Sequence, residues 1–132
     1  MIIIALIIFG VIVTIHEFGH FFVARLCNIK VNKFAIGMGP VLFKWGKKET
    51  EYSLRLLPIG GFCSMEGENE SSDDNRAFVN KNVWQRIAVV SAGAIMNILL
   101  GFVLLIITTA SSNAVPSVVI NSFHTDENNN IT

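Results

Sequence analysis

Three residues in the first span of the chain have the types and spacing for hydrolytic chemistry: His16, Glu17 and His20, in the run His16-Glu17-Phe18-Gly19-His20. On a helix, positions i and i+4 lie one above the other, so both imidazoles can direct a ring nitrogen at one Zn²⁺. Glu17 adjoins the pair without being part of it, the position from which a carboxylate serves as general base to an attacking water. These three match H-E-x-x-H, a spacing that chance supplies to fewer than about 1 in 100 chains of this length. Ionisable side chains inside an apolar span are costly unless they are paired, metal-bound or functional. Two hydrogen-bonding histidines would explain His16 and His20 but leave the Glu17 carboxylate unaccounted for; a metal site accounts for all three.

The elements that must position this triplet are legible in composition. The 132 residues are 52% hydrophobic and 15% charged, too apolar for a soluble domain of this size. Between Ile2 and Arg25 the only ionisable groups are His16, Glu17 and His20. A helix over this run measures about 33 Å, enough for a hydrocarbon core of about 30 Å. No basic n-region or small-residue cleavage site accompanies it, which argues against a signal peptide. Ile87 to Ala110 is free of charge and follows Trp84 and Arg86, an interfacial anchor, so it predicts a second span.

All ten Lys and Arg lie between Arg25 and Arg86, whereas the tail after Ala110 carries only Asp126 and Glu127 as charged groups. The positive-inside rule then places the loop in the cytoplasm and both termini outside. A formal net charge of zero argues against nucleic acid as a partner; the partner implied is the lipid bilayer. Cys27 and Cys63 are too few and too far apart for a disulfide framework or a C-x-x-C zinc site, and are expected as reduced thiols.

Between the spans, Val31–Ile36, Val41–Trp45, Glu51–Leu57 and Gly60–Met65 are short β-branched and aromatic runs interrupted by Gly37-x-Gly39-Pro40, Gly46 and Pro58-Ile59-Gly60-Gly61. They predict two β-hairpins, with too many large apolar groups for a solvated loop, hence a sheet packed into the membrane or on the helices. Residues 66–83 are acidic and aperiodic, the composition of a mobile polar linker. The division is thus 1–25 first helix, 26–65 hairpin region, 66–83 linker, 84–110 second helix and 111–132 tail.

Counting from Arg25 at the cytoplasmic edge, His20 lies about 7 Å and His16 about 13 Å deep, while Asn97, counted from Arg86, lies about 16 Å deep. Gly93, Asn97 and Gly101 recur every four residues, a small-residue stripe with one amide at its centre. The stripe reads equally as a helix-packing face with a polar clamp or as direct support of the active site, Asn97 bonding a bound peptide or the oxyanion formed on attack.

These motifs resemble the site-2 protease family of intramembrane zinc metalloproteases, and within it the bacterial regulator-of-sigma-E branch. The resemblance rests on His16–His20, Phe34–Pro40, Leu57–Gly67 and Gly93–Gly101 around Asn97, nearly the whole chain. It implies a zinc metalloendopeptidase of the bacterial plasma membrane that performs regulated intramembrane proteolysis. His16 and His20 would be the zinc ligands and Glu17 the catalytic base. The implied substrate is a single-span membrane helix of the anti-sigma-factor or signal-peptide-remnant type, with the β-structure near the active site receiving it as an added strand. The implied fold class is membrane α-helical with a β insertion: two transmembrane helices joined by a cytoplasmic, membrane-associated β-hairpin region, then the start of an extracytoplasmic PDZ-like domain.

Two departures stand out: Gly93-Ala94 where members often carry Gly-Pro, and no Leu-Asp-Gly, the family's source of a third zinc ligand. His124 and Asp126 fall on the wrong side of the membrane to replace it. The chain therefore reads as an N-terminal fragment of a longer enzyme; the alternative is a non-catalytic two-span protein that binds zinc or a partner helix.

Overall fold

In a computed structural model, which describes residues 1–46 and 49–111, two long helices flank a β-hairpin: α1 (Ile2–Leu26), β1 (Val31–Trp45), β2 (Glu51–Met65) and α2 (Val83–Ser111), with a 3₁₀ turn at Phe78–Asn80. Met1–Gly101 form one compact unit, and Phe102 onward belongs to a second. The expected PDZ-like tail lies outside the described residues.

Both helices are long and apolar enough to cross a membrane, with mean hydropathy of 2.4 and 2.5. Ile2, Ile3, Val90, Ile98 and Phe102 are each more than half exposed, a surface that lipid rather than water suits. α1 ends in a built stop. Asn28 adopts φ 52°, and the Ile29 amide reaches back 2.8 Å to the Ala24 carbonyl, closing the last turn. Ala24 and Ile29 are both fully buried there, in a core completed by Val31, Met65 and Val89. This core sits where α1 hands over to β1, directly beyond His20.

The four predicted β-segments are present, but they do not form two hairpins. β1 and β2 pair antiparallel as one long hairpin, from Val31 opposite Met65 to Trp45 opposite Tyr52. Each strand bends midway, at Gly37–Gly39 and at Pro58–Gly60, so Lys33–Ile36 face Ser64–Gly61 on one side and Glu51–Leu54 on the other. The residues that read as turns between strands are bends within them. Gly37 and Gly60, at φ 84° and 79°, take backbone conformations that only glycine adopts cheaply and re-aim a continuous strand. The Pro58 carbonyl rests on Gly10 of α1, where a Cβ would collide with it. The outer half of the hairpin exposes Met38, Val41, Leu42, Phe43, Leu56 and Leu57.

Residues 66–82 are less free than their composition implies. Glu66 accepts hydrogen bonds from Asn32 Nδ2 (2.9 Å), Ser72 Oγ (2.9 Å) and Lys30 Nζ (3.4 Å), and Lys30 also reaches Asp74 at 3.5 Å. The Phe78 amide bonds the Glu66 carbonyl at 2.7 Å, and Ala77 is fully buried. The acidic side chains Glu66 and Asp74 find partners in Lys30, just before β1, and Glu66 also in Asn32 on it.

This network has a pH signature. Donation from Asn32, Ser72 and Lys30 lowers the Glu66 carboxyl below its ordinary 4.5, and the Arg76 amide, with Lys30, lowers Asp74 below 3.8. Bonding to Glu66 and Asp74 raises Lys30 above 10.5. The carboxylates' contribution to stability is present above their ordinary values and is lost as pH falls through the depressed ones. The lysine's is complete below 10.5 and lost only as pH rises through its raised value. Melting curves should show a small Lys30→Met penalty that is constant from neutral pH down to about 4.5 and fades below it; the network is partly open to solvent and therefore weak.

Candidate metal centre

The triplet His16, Glu17, His20 lies on the face of α1 that meets α2 and β2. Gly19 makes the approach possible: a Cβ there would stand 2.6 Å from the Ala92 carbonyl oxygen and 2.7 Å from Met96 Cγ. Gly93, one residue on from Ala92, faces the histidines, and a Cβ on it would sit 2.6 Å from Nε2 of both His16 and His20. Two glycines, one from each helix, thus create the space in which two imidazoles converge.

The imidazoles converge through their Nε2 atoms, 3.1 Å apart, with rings edge to face at 76° and centroids 4.8 Å apart. Two nitrogens on one tetrahedral Zn²⁺, each at about 2.0–2.1 Å, would stand about 3.3 Å from one another. The spacing therefore fits a shared metal. The far nitrogens are also held. His20 Nδ1 donates to the Val89 carbonyl at 2.7 Å; a carbonyl carries no proton, so the proton is on Nδ1 and the Nε2 lone pair is free for a metal. His16 Nδ1 lies 3.2 Å from Nδ2 of Asn97. Among the described residues no group of three His, Cys, Asp or Glu comes together, so the pair supplies two donors of the three that a catalytic zinc needs.

Glu17 and His20 open onto a cleft of about 420 Å³ whose other walls include Phe62, Cys63 and Met65 of β2, Glu68, and Val89 of α2. Gly61 brings β2 close: a Cβ added to it would be 3.5 Å from Glu17 Cγ. The Gly60–Met65 edge of the sheet is thereby laid beside the carboxylate. Burial, with the Glu17 and Glu68 carboxylates, pushes the Cys63 thiol up to about 12, so it faces the cleft as a neutral thiol.

Of the residues singled out by type and spacing, His16, His20, Gly93 and Asn97 come together, and Glu17 stands beside them. Gly101 does not join them. Among the described residues a Cβ there would meet nothing within 4 Å, so within them the four-residue stripe makes contact only as far as Asn97. Val89 escaped sequence reasoning because its contribution is a backbone carbonyl, which no side-chain type announces. Phe62, Cys63 and Met65 belong to the Leu57–Gly67 motif, whose pattern marked the segment but not its place against Glu17.

Comparison with known proteins identifies the family. Residues 4–130 match the profile of peptidase family M50. A protein of Clostridium acetobutylicum is 51% identical over 118 residues, covering 89% of this chain and 35% of its own length. One from Clostridium perfringens is 50% identical over 125 residues (92% and 37%), and one from Fusobacterium nucleatum 41% identical over 112 (85% and 33%). All three bear the name "Putative zinc metalloprotease". The chain thus spans about a third of the length of these relatives.

Proposed function

The chain belongs to peptidase family M50, a family of zinc metalloproteases, and from that premise we propose that it is the N-terminal, zinc-binding part of an enzyme that cleaves single-span membrane proteins within or beside the bilayer. The observation that carries the reading is the pair of Nε2 atoms 3.1 Å apart on an apolar helix, with Glu17 on the same cleft. His16 and His20 hold the metal. When bound, zinc polarises the scissile carbonyl and acidifies water. Glu17 takes the proton from the attacking water and passes it to the departing amine, so the carboxylate is regenerated. The third ligand comes from the two-thirds of the relatives' length that this chain does not span.

The substrate reaches Glu17 as an extended segment along the Gly60–Met65 edge, which Gly61 brings against the carboxylate. An extended segment is required because a helix hides its scissile bonds behind its own side chains. The chain is a membrane protein, and we place it in the bacterial plasma membrane with residues 26–83 in the cytoplasm, on the strength of the Lys and Arg confined between Arg25 and Arg86. An extracytoplasmic PDZ-like domain beginning after Ser111, and a role in regulated proteolysis, complete the proposal.

Its test is metal removal from the full-length enzyme in proteoliposomes with a single-span substrate. A zinc chelator should abolish cleavage and added zinc restore it; cleavage that persists after zinc has been stripped would refute the assignment.

A further inference from the structure

Arg55 is a cation that the proteolytic reading leaves unused. It lies on β2 beside the apolar part of α1: its carbonyl oxygen is 3.2 Å from where a Cβ on Gly37 would stand, and Gly37 lines one apolar cavity with Thr14. Thr14 is about 16 Å from Arg25 along the helix axis. An arginine keeps its charge in proteins, and at such a depth in a bilayer an unpaired charge is costly. Among the described residues no carboxylate stands within ion-pair distance of Arg55. Glu51, whose carboxyl feels the guanidinium, is held by Lys44 at 2.8 Å. Arg55 Nη1 donates to the Gly39 carbonyl at 3.1 Å, while its Nε is buried with no acceptor among the described residues.

The guanidinium is aimed at the substrate edge. Phe62 pairs with Ala35, and Ala35 pairs on its other side with Ser53, so Phe62, Ala35, Ser53 and, two residues on, Arg55 project from one face of the sheet. Ala35 is small enough for the Arg55 side chain to cross it, and the guanidinium carbon rests 5.1 Å from the centre of the Phe62 ring. Phe62 belongs to the Gly60–Met65 edge and walls the Glu17 cleft. A substrate strand added to that edge would set the side chain opposite Phe62 about 5 Å away, on the face that holds the guanidinium. We propose that Arg55 is a specificity-determining residue, selecting a substrate that carries aspartate or glutamate opposite Phe62, beside the bond that Glu17 serves. The carboxylate supplies the acceptor that Nε lacks and neutralises the arginine, and a substrate acid that is itself costly in a bilayer finds its partner there. This inference rests on the proteolytic reading and its added strand, and names the substrate class.

The test uses the full-length enzyme in proteoliposomes of neutral phosphatidylcholine, with single-span substrates that carry Glu or Gln at successive positions around the cleaved bond. Wild type should show one position where Glu raises kcat/KM about tenfold or more over Gln. Arg55→Lys should keep that preference and Arg55→Met should lose it. Arg55→Glu should reverse it and cleave best the substrate with Lys at that position, a rescue that a merely structural arginine would not give. No preferred Glu position in wild type, or the same preference in Arg55→Met, overturns the proposal. So does a wild type that needs anionic phosphatidylglycerol whatever the charge of the substrate and loses that need in Arg55→Met, which would assign the arginine to lipid phosphate. Cleavage of every substrate after zinc has been stripped would instead overturn the metalloprotease reading beneath it.

Discussion

Replacing Glu17 by glutamine in the full-length enzyme is expected to reduce cleavage by about 10²–10⁴-fold, the usual weight of a general base, while leaving the bound zinc in place. The substitution keeps the shape of the side chain and removes only its capacity to take a proton. Glu17 shares a cleft with His20, and no donor atom of Glu17 stands between the two Nε2 atoms, which approach each other directly. Zinc content should therefore match wild type. Wild-type cleavage in Glu17→Gln would remove the base from the mechanism; loss of zinc would make Glu17 a ligand.

Gly93→Ala tests the site from the opposite helix. The added methyl would lie 2.6 Å from both Nε2 atoms, inside any real contact distance. The rings cannot both yield, because His20 is tethered to the Val89 carbonyl by a 2.7 Å hydrogen bond. One imidazole must leave its place, or α2 must back away from α1 and take Asn97 with it. Zinc affinity should fall about 10–100-fold or more, and cleavage with it. Gly101→Ala is the matched control. The same change two turns further along α2 meets nothing within 4 Å among the described residues, and it should leave zinc binding unchanged. A Gly93→Ala protein with wild-type zinc affinity would mean that the observed closeness of the helices is not what organises the ligands.

The contrast between Gly93 and Gly101 shows where sequence reasoning reached and where it stopped. Spacing along a helix converts directly to length, so two spans, one motif and two basic edges were enough to put Asn97 at the depth of His16, where the structure finds it 3.2 Å from the ring. The same periodicity continues to Gly101, but there α2 meets no neighbour among the described residues. A repeat in one helix says nothing about how far its partner follows. The hairpin tells a similar story. Segment boundaries were readable because β-branched runs and glycines alternate, yet Gly37 and Gly60 bend strands rather than end them, and positive φ looks alike in a turn and in a bend. The Glu66 network depends on Lys30 and Asn32, more than thirty residues away, and the Val89 carbonyl has no signature at all. Chemistry carried by side-chain type was legible; chemistry carried by backbone and long-range pairing was not.

The central claim is that His16 and His20 hold one zinc ion, and metal analysis of the purified full-length protein tests it most directly. Wild type should carry one zinc per chain after dialysis against metal-free buffer, and His16→Ala and His20→Ala should each carry almost none under the same treatment. Stoichiometric zinc in either histidine variant, or a wild-type protein that cleaves its substrate without zinc, would contradict the account.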